Sequence, residues 1–166
     1  MLVGLIIIGL LAAIIVPTMS RAKANARSTQ CVGKLREIGI GLNNYFAEKG
    51  LRFPELVAAR ESRDQDLMTL DTALLPYVSS EQVFRCPADH EGFFENTGSS
   101  YFWNSLINGQ QFGNMDLLGI IREEAGIPVV SDKENFHEHI ADGVNVLYAD
   151  GHVQRRLQFT VATNPQ

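Results

Sequence analysis

The chain begins with an apolar run that limits what it can fold into. Residues Leu2 to Val16 carry no polar side chain, Pro17 follows them, and the first charged side chain is Arg21. Water would drive an exposed segment of this composition into lipid or into aggregates. As a helix, residues 2–19 would rise about 27 Å, close to the thickness of the bilayer core. We therefore predict that residues 1–19 form a transmembrane or assembly segment.

Two other interpretations of this run fit the sequence less well. A cleaved secretory signal would show a basic segment before the run and a small-residue cleavage motif after it, and we find neither. A buried core helix of this length would normally keep a polar face. We expect instead a membrane anchor that continues into a longer helix.

The residues after Pro17 predict that continuation. Residues 20–30 are rich in Ala, Arg and Lys, which are good helix formers. An apolar stripe with a spacing of four and three follows, as expected for one helix face. Its members are Cys31, Leu35, Ile38, Leu42 and Tyr45. We predict an amphipathic helix over residues 20–50 that docks on a head through this stripe, with Gly50 as the C-cap.

Three glycines interrupt this predicted helix. Gly33, Gly39 and Gly41 each weaken a helix by up to about 1 kcal/mol relative to Ala. We expect another part of the chain to pack closely at these positions.

The remaining chain predicts an α+β head over residues 51–159 and a frayed tail over 160–166. Short helices are expected at 67–75 and 115–124, and extended segments at 83–87, 101–103 and 127–130. Two strands, 144–149 and 152–159, are joined by Asp150 and Gly151. We expect a two-residue hairpin turn there, with positive φ at both of these positions.

Charge is distributed unevenly along the sequence. Through Arg63 the chain has nine basic and four acidic residues, and after it five basic and fifteen acidic. This pattern fits two solvated faces or, alternatively, a basic stem near anionic headgroups below an acidic head. An acidic head argues against nucleic acid as a partner.

Two features of the sequence predict different cellular compartments for the head. Arg21, Lys23 and Arg27 follow the apolar run, which alone would place the head in the cytoplasm. A disulfide between Cys31 and Cys86 would instead require an oxidising compartment. Two free buried thiols remain the alternative to that bond.

Several motifs together resemble one known family. Residues 2–17 resemble the N-terminal helix of type IV pilins and type II secretion pseudopilins. Further matches to a pilin-like family follow in order: residues 30–39, the Phe84 to Asp89 segment, Ser100-Tyr101 with Asn104, and residues 145–153. The last match resembles a C-terminal signature in which nine residues separate a His from Asp-Gly. The resemblance covers nearly the whole chain.

The resemblance implies both a fold and a function. The implied fold is a long N-terminal helix, with an apolar first half, packed by its second half on a small antiparallel β-sheet. Such subunits are inserted in the bacterial inner membrane as single-pass proteins with the head in the periplasm. An ATPase and an inner-membrane platform then assemble them, with other pseudopilins, into a filament. The implied membrane and assembly residues are Leu2, Ile6, Leu10, Ile14 and Pro17.

The chain departs from the family in two places. Prepilin peptidase normally removes a leader, and the new N-terminus is methylated and followed by a Glu that sets filament register. Met1 falls inside the mature helix, so we expect an upstream start, a trimmed chain or an unprocessed copy. Ten residues, instead of nine, separate His139 from Asp150.

One cluster of residue types suits a metal. His137 and His139, with Asp142 and Asp150, offer ligands for Zn²⁺ or Ca²⁺. Major pseudopilins carry a calcium site in the corresponding region. The simpler interpretation is a polar loop before a hairpin, with Asp150 serving the turn. We find no motif for nucleophilic catalysis or for phosphate binding, and we expect no enzymatic activity and no tightly held cofactor.

Three functions follow as hypotheses. The first is a filament subunit that polymerises through its apolar helix. The second is a membrane-tethered periplasmic binding module that does not polymerise. The third is a metal-dependent enzyme built on residues 137–152, which would require bound metal.

Overall fold

The computed structural model describes residues 2–138 and 143–156, and the side chains of residues 2–12, 14 and 17 lie outside the description. Within what is described, no helix is both long enough and apolar enough to cross a membrane. The predicted membrane and assembly positions all fall on side chains outside the description: Leu2, Ile6, Leu10, Ile14 and Pro17. The predicted tail, residues 160–166, is also outside it.

One long helix, α1 (Leu2–Lys49), forms the N-terminal part of the structure. At about 1.5 Å per residue its 48 residues span about 72 Å. It ends before Gly50, whose φ of 79° is the left-handed conformation typical of a residue just after a helix. The prediction of a single helix running to about Lys49 is confirmed.

Among the α1 side chains that the structure describes, buried ones occur only in the second part of the helix. Ile15, Val16 and Met19 are 53%, 66% and 53% exposed, whereas a buried face begins at Ser28. The predicted stripe is buried at Cys31, Leu35, Ile38 and Leu42. Its last member differs, because Tyr45 is half-buried and Phe46 is the more deeply buried side chain. Phe46 packs edge-on against Phe53, with ring centroids 4.9 Å apart.

The head contains a four-stranded antiparallel sheet in the order β1-β2-β3-β4. The strands are β1 (Tyr101–Trp103), β2 (Pro128–Asp132), β3 (Val146–Tyr148) and β4 (Val153–Gln154). Leu147 of β3 points towards α1, because a Cβ built on Gly39 would lie 3.3 Å from Leu147 Cδ1. The predicted α+β class, with a long helix on a small antiparallel sheet, is confirmed.

Short helices connect these layers. They are α2 (Leu70–Leu74), α3 (Phe93–Thr97) and the 3₁₀ helices Leu75–Tyr77, Glu81–Phe84, Ser105–Ile107 and Glu124–Gly126. The predicted extended segment 83–87 is wrong at its start, because Val83 and Phe84 belong to a 3₁₀ helix. Both side chains are fully buried.

The prediction of a helix over 115–124 is wrong. This segment forms turns, with an isolated bridge between Leu117 and Ile121. Leu118 and Gly119 have φ values of 59° and 74°, which no right-handed helix accommodates. Met115, Leu117 and Ile121 are nevertheless buried, so the apolar residues that suggested a helix contribute to the core from a looped backbone.

The predicted hairpin is present, but its turn differs from the expectation. Leu147 pairs with Val153, and the Gly151 N–H donates to the Tyr148 carbonyl at 2.9 Å. Gly151 has a φ of 88°, while Asp150 is not among the positive-φ residues. The turn therefore spans residues 148–151 with glycine at its end, an arrangement that needs only one left-handed residue. Residues 157–159 of the predicted second strand lie outside the described residues.

Two of the three helix glycines have close neighbours. A Cβ on Gly41 would lie 2.6 Å from Val78 Cγ1, and one on Gly39 would be close to Leu147. The expectation of close packing is wrong at Gly33, where a Cβ would meet nothing within 4 Å.

These contacts predict opposite effects for two matched substitutions. Gly41→Ala should lower the free energy of unfolding by about 1–3 kcal/mol, because the branched Val78 side chain cannot easily move away. Gly33→Ala should raise it by up to about 1 kcal/mol through helix propensity. Chemical denaturation of the full chain in detergent measures both. Equal effects of the two substitutions would contradict the packing described here.

Candidate functional site

A disulfide joins α1 to the head at the point where the helix becomes buried. Cys31 of α1 and Cys86 are bonded, with their Cα atoms 5.1 Å apart, and both are fully buried. The bond closes a loop with a sequence separation of 55 residues. By the chain-entropy model such a crosslink contributes about 4 kcal/mol. The helix is thereby covalently fixed to the segment that follows the Glu81–Phe84 helix.

A hydrogen-bonded loop holds Cys86 in place. The Cys86 N–H donates to Ser100 Oγ at 3.1 Å, and that hydroxyl donates to Asp89 Oδ2 at 2.7 Å. The Asp89 carboxylate also accepts the backbone N–H groups of Gly92, Phe93 and Phe94 at 2.9–3.2 Å. Burial opposes the charged form, but these hydrogen bonds outweigh it and lower the pKa of Asp89. Asp89 therefore connects the Cys86 loop to the start of α3 as a carboxylate.

His137 lies directly against the disulfide. Its Nε2 is 3.5 Å from Cys86 Sγ and 3.7 Å from Asp132 Oδ2, and its backbone N–H donates to the Gly143 carbonyl. The residue is 6% exposed. Burial lowers the pKa of His137 to about 4, with a smaller contribution from the positive charge of Arg155. The imidazole is therefore neutral near pH 7.

Asp132, at the end of β2, is the buried carboxyl of this site. Its Oδ2 accepts two hydrogen bonds from Asn145, from the backbone N–H at 2.7 Å and from Nδ2 at 2.8 Å. Its Oδ1 has no hydrogen-bond partner in the described part of the chain. Burial raises the pKa of Asp132 to about 7, although the Asn145 hydrogen bonds act in the opposite direction. Tyr101 of β1 pairs with Asp132 in the sheet. Its buried hydroxyl group also has no hydrogen-bond partner among the described residues.

A cleft connects His137 to the surface. Its volume is about 230 Å³. Arg27 and His90 both line it, and Arg27 Nη1 lies 3.4 Å from His90 Nε2. Phe136 and Glu138 contribute the remaining large side chains. An adjacent hollow of about 350 Å³ shares His90, Phe136 and Glu138 with it.

The structure describes two of the four sequence-predicted metal ligands, His137 and Asp150. Of the four, His139 and Asp142 lie outside the described residues. Asp150 lies in the hairpin turn, where its Oδ1 accepts the His152 backbone N–H at 3.1 Å and contacts the His152 ring at 2.5 Å. Among described residues, the group of three or more possible ligands that comes together is Cys31, Cys86 and His137.

Two further residues of the family-like motifs, Asn104 and His152, have structural partners. Asn104 accepts the Leu106 N–H at 3.1 Å and donates to the Pro128 carbonyl at 2.7 Å, which joins β1 to β2. His152 stacks on Tyr148 with ring centroids 4.6 Å apart. These side chains therefore fix the edges and turns of the sheet.

A second buried polar cluster lies beneath α2. Arg60 Nη2 is 2.5 Å from Asp71 Oδ2, and both side chains are about nine-tenths buried. Lys133 Nζ donates to Thr97 Oγ1 at 2.6 Å, and burial lowers the pKa of Lys133 to about 8. A Cβ on Gly98 would lie 2.2 Å from Asp71 Oδ2, so glycine is required there for this pair to form. The cavity beside this cluster has a volume of about 10 Å³, which is too small for a ligand larger than a water molecule.

Sequence reasoning missed the role of Asp132 and the contact between His137 and Cys86. Asp132 follows an apolar run that was correctly predicted as a strand, and a carboxyl at the end of a buried strand was the available signal. The contact with His137 carried no signal, because it depends on a loop that returns over 51 residues.

Comparison of the chain with models of known protein families, with curated proteins and with solved structures gives no match.

The opposed pKa shifts of Asp132 and His137 predict a specific pH dependence. The folded chain binds more protons than the unfolded chain at Asp132 between pH 4 and 7, so this group lowers the free energy of unfolding as pH rises. At His137 the unfolded chain binds more protons than the folded chain between pH 4 and 6.5, so this group raises the free energy of unfolding as pH rises. The two effects partly cancel in the native chain.

Asp132→Asn should remove one of these two effects. Relative to the native chain, the free energy of unfolding of this variant should increase between pH 4 and 7 and level off above pH 7. The increase should not exceed about 1.4 kcal/mol per unit of pKa shift. Denaturation at a series of pH values measures it, with Asp66→Asn, at an exposed carboxyl, as the control. If the free energies of unfolding of Asp132→Asn and the native chain differ by the same amount at every pH, the raised pKa of Asp132 is contradicted.

Proposed function

We propose that the chain is a pilin-like structural subunit that polymerises into a type II secretion or type IV pilus-like filament through its apolar N-terminal helix. One observation carries the proposal. Helix α1 is continuous from Leu2 to Lys49, yet Ile15, Val16 and Met19 are more than half exposed. Large apolar side chains on a helix that leaves its own head require a partner outside the chain.

The way the head holds α1 supports a mechanical role. One face of the helix is buried from Ser28 onward, and the helix is covalently fixed at Cys31. A pull on the exposed stem would therefore be transmitted to the head through a covalent bond as well as through packing. A filament subunit that is extracted from a membrane experiences such a load.

The proposed partners follow from this role. The stem would contact lipid before assembly and the stems of other copies or other pseudopilins afterwards, an exchange with little net cost for an apolar helix. An inner-membrane platform would drive assembly, and prepilin peptidase would act if the natural start lies upstream. Arg21, Lys23 and Arg27 would lie near anionic headgroups.

The proposed location is the bacterial inner membrane, with the head in the periplasm. The Cys31–Cys86 disulfide supports this location, because such bonds persist in oxidising compartments. The proposed function is structural, and we assign no residue a catalytic role.

One observation favours a tethered binding module as the second candidate. An apolar hollow of about 290 Å³ lies beside β1, lined by Phe102, Leu106 and Leu118 among others. These three side chains are 40%, 59% and 72% exposed. A non-polymerising module could use this surface for an apolar ligand.

Matched substitutions on α1 test the filament proposal. Ile15→Asp places a charge on the exposed stem, and Ile40→Asp places the same charge where α1 lies on the head. Both isoleucines are exposed, at 53% and 60%. Ile15→Asp should abolish filament formation and envelope association, because a charge in lipid or between apolar helices costs several kcal/mol. Filament yield and membrane fractionation measure the effect.

Ile40→Asp is the control, and it should retain envelope association and the folded head. Normal filaments from Ile15→Asp would contradict the proposal. An Ile15→Asp chain that leaves the membrane, together with a native chain that forms no filament, would favour the tethered module.

A further inference from the structure

We propose that the reduced form of this chain binds one soft divalent cation, with Zn²⁺ as the expected ion, through Cys31, Cys86 and His137. The two thiols become available only when the disulfide is open, so the same residues form either a covalent crosslink or a metal site. This inference is independent of whether the chain polymerises.

The three ligand atoms already lie close together. The two Sγ atoms and one nitrogen of His137 all lie within 4.8 Å of one another. Cys86 Sγ and His137 Nε2 are 3.5 Å apart. Tetrahedral zinc, with Zn–S of about 2.3 Å and Zn–N of about 2.0 Å, places a sulfur and a nitrogen about 3.5 Å apart. That pair is therefore already at the required separation, whereas the two bonded sulfurs must move apart.

The backbone supporting these ligands is fixed independently of the disulfide. Cys31 lies on α1 between the buried Ser28 and Leu35, and Cys86 is held by its hydrogen bond to Ser100 Oγ. His137 is positioned by the hydrogen bond from its N–H to the Gly143 carbonyl. Opening the bond therefore leaves the three side chains on the same supporting elements.

Asp132 provides a second, independent observation. Its side chain is fully buried, lies 3.7 Å from His137 Nε2, and has an Oδ1 with no hydrogen-bond partner among described residues. A buried carboxylate oxygen without a partner is costly in a native structure. A cation held beside His137 would supply a partner for this carboxylate, as a fourth ligand or through a bound water.

The ligand types select the metal. Two thiolates and an imidazole favour Zn²⁺ over Ca²⁺ or Mg²⁺, which prefer oxygen ligands. The site therefore differs from the carboxylate-rich one expected from the sequence, and it shares only His137 with it. The cleft lined by Arg27, His90 and Glu138 gives the ion a route from the surface to His137.

The conversion between the disulfide form and the zinc-bound form is balanced in atoms and electrons. A phosphine and one water convert the disulfide to two thiols and a phosphine oxide. Zinc binding then releases the two thiol protons. In the reverse direction, a small-molecule disulfide accepts two electrons from the zinc-bound thiolates and leaves as two thiolates, while the Cys31–Cys86 bond forms and Zn²⁺ is released.

Metal titration of the full chain in detergent tests the proposal. The chain is reduced with a phosphine, desalted without oxygen and titrated with Co²⁺ and then Zn²⁺. We expect one Co²⁺ per reduced chain, with a thiolate-to-cobalt charge-transfer band and tetrahedral ligand-field bands that Zn²⁺ removes. The oxidised chain should show no such bands. His137→Ala should weaken binding by at least about tenfold.

His90→Ala is the matched control, because it removes the other imidazole of the cleft and should bind metal as the native chain does. Reduction of the disulfide could loosen the fold, so thermal unfolding provides a second measurement of metal binding. Zn²⁺ should raise the Tm of the reduced native chain, or restore its near-ultraviolet circular dichroism, but should do neither for His137→Ala. Absence of cobalt bands in the reduced native chain, or equal binding by His137→Ala, would overturn the proposal.

Discussion

The attachment of α1 to the head is the constraint on which the rest of the structure depends. The helix contributes Cys31, Leu35 and Ile38 to the core at zero exposure, in the same buried cluster as Val83, Phe84 and residues of the sheet. Without this face, the small sheet would have an open apolar side. The disulfide lies at the edge of this interface nearest the stem, which is where a force on the stem would first separate the helix from the head.

The loops between the helix and the sheet are ordered by buried and half-buried polar side chains more than by regular structure. Asp89 accepts hydrogen bonds from three backbone N–H groups and from the Ser100 hydroxyl, and Asp132 accepts two hydrogen bonds from Asn145. Since strands β1 to β4 have only two to five residues each, such side chains replace the ladder hydrogen bonds that a larger sheet would provide. Asp132 Oδ1 has no hydrogen-bond partner among the described residues, and this carboxyl lies 3.7 Å from His137, which contacts the disulfide.

The sequence predicted the parts of the fold that follow from local periodicity. The stripe from Cys31 to Leu42, the strand at residues 101–103 and the hairpin around Gly151 were all recognisable, because spacing along the chain determines which side chains share a face. The segment 115–124 was misread, since its apolar residues are also compatible with a looped path whose direction is set by the left-handed Leu118 and Gly119. The close approach at Gly41 was expected, although Val78 as its neighbour could not be identified without the tertiary structure.

The candidate site was less predictable than the fold. His137 was identified as a possible ligand, but it was grouped with neighbours in the sequence, whereas in the structure it lies beside Cys86 and Asp132. Contacts across 51 residues depend on how loops return to the core, and no local pattern encodes that path. The family-like motifs did locate the Cys86 to Asp89 loop and Asn104, whose side chains prove to hold the head together.

Cysteine crosslinking along the stem tests the central claim most directly. The sequence contains two cysteines and both are in the disulfide, so cysteines introduced at Ala13 and Met19 would be the free thiols of the oxidised chain. A bifunctional thiol reagent would be applied to cell envelopes that contain this double variant. The account predicts a ladder of multimers, because each stem would contact several neighbouring stems. Monomers with at most scattered dimers, under conditions where the thiols react fully, would contradict polymerisation through α1.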